Sequence, residues 1–255
     1  MNSPIADAAL FDYLLRRGDD SLVLSQRLTE WCGHAPTIEV DLSIANLGLD
    51  LVGQATLFLS YAAEVEGAGR DADALAFHRD AHAFRNCLLV EQPNGDFAQT
   101  MARQFLFSTW QKLLFERLTF SSDTRIAEIA AKALKEIVYH AEISAEWVVR
   151  LGDGTAESRA RLEKGVAWIW RSVPELFMMN DIDVALIARG IAVDPESFRA
   201  EYDAKVVSVF GEATIAVPPL PRNFAKGRQG HHSEHLGHLL STMQYLPRAY
   251  PDAKW

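Results

Sequence analysis

Apolar residues recur along this chain in steps of three and four. From Ile38, the positions Ile38, Leu42, Ala45, Leu49, Val52, Thr56, Leu59 and Ala63 alternate steps of four and three. That spacing keeps side chains on one face of an α-helix. Val40, Ile44, Leu47, Leu51 and Phe58 make most of the remaining circumference apolar too. A narrow polar stripe is left, made of Glu39, Ser43, Asn46, Asp50 and Gln54. A helix wetted on one stripe belongs inside a bundle. Thr37 supplies its N-cap, and Glu39 sits favourably near the positive end of the helix dipole.

The same period predicts further long helices. One starts near Asn94-Gly95-Asp96 and runs to about Thr119 with Phe97, Met101, Phe105, Phe107, Trp110, Leu114 and Leu118. The next covers about 123–151, with an inner stripe of Ile126, Ala130, Ala133, Ile137, His140, Ser144, Trp147 and Leu151. Its outer face pairs Glu128 with Lys132 and Glu146 with Arg150, acid four residues before base, the favourable order. Gly152-Asp153-Gly154 stops it, and another helix spans about 155–179. Upstream, a helical hairpin over 8–17 and 21–31 is expected to break at Gly18. Downstream, Asp194-Pro195-Glu196 opens a helix ending near Gly211, and a last helix covers about 233–245 with Ser233 as cap. Ile215-Ala216-Val217 is too short for a strand of consequence. The expectation is an all-α, ferritin-like four-helix bundle with added N- and C-terminal helices, as one domain over 1–255.

Composition narrows the class. The net charge is −9 with signs interspersed, which argues against nonspecific nucleic-acid binding. The two cysteines, Cys32 and Cys87, are far apart, so a reducing cytoplasm fits. The first ten residues show no basic region before an apolar run, hence no secretory signal. Residues 44–63 are broken by Asn46, Asp50 and Gln54, which reads as a soluble helix, not a membrane span.

Bundles of this size often hold two irons. Such a site needs carboxylates on two helices and Glu-x-x-His on the other two, because residues three apart share a face. The residues three before the histidines are Trp31, Leu75, Arg79, Ile137, Arg228, Gln229, His232 and His235. No Glu-x-x-His exists. His140 comes nearest, but Ile137 stands where the carboxylate is needed and Glu136 points about 100° away. A core histidine bonded to a neighbour is the plainer reading of His140. Asp50 and Gln54, one turn apart, read as a wet stripe, as relics of a site or as partners for another subunit. Near the C-terminus His231, His235 and His238 share a helix face, a set zinc would accept, although Ser233 and Glu234 also read as an ordinary helix start. The segment Pro219-Leu220-Pro221-Arg222-Asn223-Phe224-Ala225-Lys226-Gly227-Arg228 concentrates positive charge that could meet phosphates of a coenzyme A ester or an acidic partner, and it reads equally well as a solvated loop. His78/His82 and Asp181/Asp183 read as surface or helix-end features.

Several blocks resemble a known family. They are residues 22–28 (LVLSQRL) and 30–36 (EWCGHAP), 46–55 (NLGLDLVGQA) and 58–64 (FLSYAAE), 89–97 (LVEQPNGDF), 232–237 (HSEHLG) and 243–246 (MQYL). Together they resemble the structural subunits of bacterial phenylacetyl-CoA epoxidases, multicomponent monooxygenases, over nearly the whole chain. The resemblance implies a ferritin-like fold and cytoplasmic work in aerobic phenylacetate breakdown. It implies a tight complex with a homologous catalytic subunit that holds the di-iron centre and binds phenylacetyl-CoA. Further subunits bridge and deliver electrons from NADPH. The catalytic relatives carry Lys-Glu-Glu-x-x-His, and the similar run here is Lys135-Glu136-Ile137-Val138-Tyr139-His140. Leu24 and Phe105 fall where the relatives have other carboxylate ligands. The resemblance therefore implies no catalytic residue, metal or cofactor in this chain, and a degenerate site at Leu24, Phe105, Ile137 and His140.

Two other functions compete. One is an oxygenase or ferroxidase with an unconventional site drawn from Asp50, Glu136, His140 or the C-terminal histidines. The other is a coenzyme A ester binder that helps a partner hold substrate.

Overall fold

A computed structural model describes residues 7–219, 226–251 and 253. The regular structure among the described residues is all helical, with no strand and one isolated bridge between Lys226 and His231. The chain divides into two compact units, residues 1–93 with 226–255, and residues 94–225.

The first unit is built on α1 (Ala8–Thr29) and α2 (Ile38–Glu66), which pack along their lengths as an antiparallel pair. Short helices α3 (Ala72–Phe77) and α4 (Leu88–Glu91) follow, and α10 (Glu234–Met243) and α11 (Tyr245–Ala249) return from the far end of the sequence. α2 begins where the sequence places it, with the Thr37 side chain accepting from the Val40 amide. α1, in contrast, is unbroken. A Cβ on Gly18 would stand 2.7 Å from Leu59 Cδ2. The glycine is a point of close helix approach, not a break.

The buried face of α2 also differs from expectation. Val40, Ile44, Leu47, Leu51, Ala55, Phe58 and Ala62 are buried, together with Gln54 of the supposed wet stripe. Much of the stripe expected inside is outside: Ile38, Leu42 and Leu49 are 72%, 61% and 66% exposed. With apolar residues nearly all round, the period was right and its phase undetermined. α2 is the one described helix long and apolar enough to cross a membrane, but its inner face packs on α1 and carries Gln54, 3.5 Å from the Ser21 hydroxyl.

The second unit pairs α5 (Phe97–Leu118) with α6 (Thr124–Gly152), which start close to where the sequence places them and are capped by Asp96 and Asp123. α7 (Ala156–Ile169) lies on α5 and starts with a Thr155/Ser158 capping box. The expected single helix over 155–179 stops at Ile169 and tightens into a 3₁₀ segment, Trp170–Phe177. Pro174 explains the change, since it has no amide hydrogen and its ring collides with the carbonyl four residues back. α8 (Asp181–Ala188) begins at an Asn180/Asp183 capping box, which gives Asp183 a structural role. A 3₁₀ turn, Pro195–Phe198, leads into α9 (Arg199–Glu212). Aromatic rings fill the core: Phe105 and Trp170 meet Phe210, and Phe177 meets Phe198 and Tyr202 edge-on or tilted.

Candidate functional site

Apolar side chains occupy the positions at which the sequence resemblance leads one to expect a degenerate di-iron site. Leu24 on α1 is fully buried in the first unit, and Phe105 on α5 and Ile137 on α6 are fully buried in the second. Leucine, phenylalanine and isoleucine offer no lone pair to a metal. His140, one turn beyond Ile137, is also fully buried, and the Ser144 hydroxyl donates to its carbonyl at 2.6 Å. Glu136 is half-buried beside this stripe. A single imidazole, with leucine, phenylalanine and isoleucine at the other expected positions, does not fit a di-iron centre, which needs several oxygen donors.

The other candidates do not assemble either. Among the described residues no three His, Cys, Asp or Glu side chains gather at metal-binding distance. That covers Asp50, Glu136 and His140, and also His231, His235 and His238, of which the first and last are exposed. Residues 220–225 of the basic segment lie outside the described residues. Its Arg228 is not a free cation: Nη2 bonds Asp20 Oδ2 at 2.9 Å and the side chain is nearly buried.

The most ordered polar arrangement is one that sequence reading passed over. It lies in the first unit, around Asp19, Asp20 and Glu91, all buried. Asp19 takes both arms of the Arg79 guanidinium, with Nη1 at 3.0 Å, and the Arg85 amide at 2.8 Å. Asp20 accepts from the Cys87 amide at 2.8 Å and from Arg228. Glu91 Oε1 accepts from both the amide and the hydroxyl of Ser233, each at 2.7 Å. Glu91 Oε2 takes Asn86 Nδ2 at 2.9 Å and His232 Nδ1 at 2.7 Å. His232 Nε2 lies 3.1 Å from the Phe84 carbonyl. Arg27 binds the carbonyls of Glu91 and His235. Ser233 therefore does not cap α10 with its side chain; it is spent on Glu91.

Electrostatics follow from this packing. Burial alone would depress the His232 pKa, but the hydrogen bond and charge of Glu91, with the Phe84 carbonyl and Asp19, outweigh it and raise the value above 6.5. A paired imidazolium and carboxylate result. Each acid here is saturated by donors from its own unit. The arrangement fixes the returning segment from Lys226 onward against α1 and α4. The sequence signal was the run Arg16-Arg17-Gly18-Asp19-Asp20, charges in the middle of a helix whose flanking turns are apolar.

Comparison with known proteins places this geometry in context. The sequence profile of a family described as phenylacetic acid catabolic protein matches residues 2–255. The chain belongs to this family. Within it, the chain is 52% identical over 243 residues to a subunit of the 1,2-phenylacetyl-CoA epoxidase of Escherichia coli (strain K12), its C component. The match covers 95% of this chain and 98% of that relative. The family assignment agrees with the blocks read from the sequence, which included the Glu91 and His232-Ser233 positions of the buried lattice without revealing their contact.

Proposed function

We propose that the chain is the non-catalytic structural subunit of a phenylacetyl-CoA epoxidase complex, a monooxygenase of aerobic phenylacetate breakdown in the cytoplasm. The likeness to the Escherichia coli epoxidase component over nearly the full length of both chains carries this reading. The burial of Leu24, Phe105 and Ile137 supports it, because hydrocarbon at those positions removes the need to hold uncompensated carboxylates in a core. In this reading both units contribute to a single ferritin-like domain. The homologous catalytic subunit holds the two irons and phenylacetyl-CoA, and bridging and reductase subunits bring electrons from NADPH.

The outer face of α2 is the candidate contact for that catalytic subunit. Ile38, Leu42, Leu49 and Val52 are exposed on one long helix, an apolar strip of the sort that obligate partners cover. The test is to prepare the catalytic subunit with and without this chain. A stable complex on gel filtration, and epoxidation that needs both, is the expected result. A catalytic subunit equally soluble and active alone, with no complex formed, would refute the proposal.

A further inference from the structure

α7 and the turn after it present Lys164, Trp168 and Arg171, in steps of four and three, along one side. With Gln99 and Ala167 they line an open cleft of about 420 Å³. Gly165 creates it: a Cβ there would stand 2.7 Å from Gln99 Cα, so α7 comes down onto the α5 backbone beside the larger side chains. Trp168 is 41% exposed, a large indole left in solvent. The Arg171 guanidinium lies 3.9 Å from the centre of its ring, and Arg171 Nε donates to the Trp168 carbonyl at 2.7 Å. The guanidinium is thereby fixed in place.

The charge balance of the cleft is unlike that of its surroundings. The protein carries −9 overall, and the neighbouring Arg150 and Arg161 are each neutralised by an acid one turn away. Among the described residues no carboxylate pairs with Lys164 or Arg171. Two cations without a carboxylate partner thus lie at a part-exposed indole, one face of which Arg171 covers, in a cleft within the size range of small-molecule sites. An indole stacks on a planar base, and lysine and a positioned arginine meet phosphate oxygens with charge-assisted hydrogen bonds.

We propose that this cleft binds an adenine nucleotide carrying phosphates, with Trp168 stacking the base and Lys164 and Arg171 holding the phosphates. Two sources share this chemistry, a free nucleotide and the nucleotide end of a coenzyme A ester. The second source rests on the proposed function; the first does not. This cleft is separate from the basic 219–228 segment, whose Arg228 is committed to Asp20.

Calorimetric titration of the full chain at low salt tests the proposal, with adenosine 3′,5′-bisphosphate, coenzyme A, adenosine and inorganic phosphate as probes. Saturable binding of the bisphosphate and of coenzyme A is expected, with adenosine and phosphate each far weaker. Lys164→Ala or Arg171→Ala should weaken the bisphosphate about tenfold, and Trp168→Leu by a similar factor. All three residues are exposed, so an unchanged thermal midpoint will show that the variants remain folded. Tighter binding of coenzyme A than of the bisphosphate identifies the ester as the source, and equal binding identifies the nucleotide alone as sufficient. Absence of saturable binding overturns the proposal, as does phosphate binding as tightly as the bisphosphate, or affinity unaltered in the Lys164→Ala/Arg171→Ala double variant. Because no partner is present in the titration, failure here leaves the complex-formation test of the structural-subunit reading standing.

Discussion

Isoleucine at position 137 is fully buried, one turn before a fully buried histidine. Replacing it by glutamate would create a Glu-x-x-His spacing, while under the proposed function Leu24 and Phe105, the other expected ligand positions, still offer hydrocarbon. The new carboxylate would have to ionise unpaired or stay protonated in the core. Ile137→Glu is therefore expected to cost about 2–4 kcal/mol and to gain no oxygenase activity. Urea denaturation at neutral pH measures the first part; a variant as stable as the parent contradicts the core placement. His232 allows a prediction of opposite chemical character. Its pKa is raised in the fold from an ordinary 6.5, so its pairing stabilises fully below that unfolded value. The contribution fades as pH rises through the folded value. His232→Gln keeps a hydrogen-bond donor but not the charge. The stability margin of the parent over this variant should be largest below about pH 6 and shrink steadily towards about pH 9. A margin independent of pH would mean a neutral imidazole. The lack of any Glu-x-x-His can be read from the sequence because it is a local spacing. The role of His232 was not, because its partner Glu91 lies 141 positions away.

At the scale of elements, local signals carried most of the fold. Thr37, Asp96, Asp123 and Thr155 each accept from the backbone of the helix they begin. Helices of four to six residues, such as α3 and α4, went unpredicted because they hold too few turns to show a period. The phase of α2 failed for the reason already given, and Gly18 failed because a glycine that breaks a helix and one that admits a neighbour look alike in sequence. The second alternative makes a testable distinction. Gly18→Ala gains about 1 kcal/mol of helix propensity but brings a Cβ to 2.7 Å from Leu59, and overpacking of this kind costs about 1–3 kcal/mol. A net loss is expected in the parent. In a Leu59→Ala background the same substitution should turn stabilising, and a double-mutant cycle in denaturant reads the difference. Equal effects in both backgrounds would place Leu59 elsewhere.

For the whole molecule, the outward face of α2 is where isolated and assembled chains should differ. Leu49 is 66% exposed and is not part of the buried core, so Leu49→Glu removes little packing. The chain alone should keep its stability within about 0.5 kcal/mol, as surface substitutions usually do. Binding of the catalytic subunit, if it uses this face, should weaken at least about tenfold, since an interface core tolerates an unpaired charge poorly. Co-purification and thermal melting of the same variant separate the two effects. Solubility that improves as complex formation fails is the signature expected. Unimpaired assembly would move the interface to another surface. Sequence alone indicated that α2 is apolar nearly all round, but not which side stays open.

Arg228 and His235 reach back 208 positions to Asp20 and Arg27. The first unit is thus interrupted in sequence by the whole of the second. During synthesis on the ribosome, α1 and α2 emerge first with Asp20 and Glu91 still lacking their later partners. At about 5–20 residues per second, the wait before Arg228 appears is on the order of ten seconds. In that interval the nascent hairpin exposes both apolar surface and acids destined for burial, while residues 94–219 can condense without delay. A chain released after residue 219 should consequently retain a protected second unit and a protease-sensitive first one. Limited proteolysis of that fragment would show uniform resistance if the early helices mature without the returning segment.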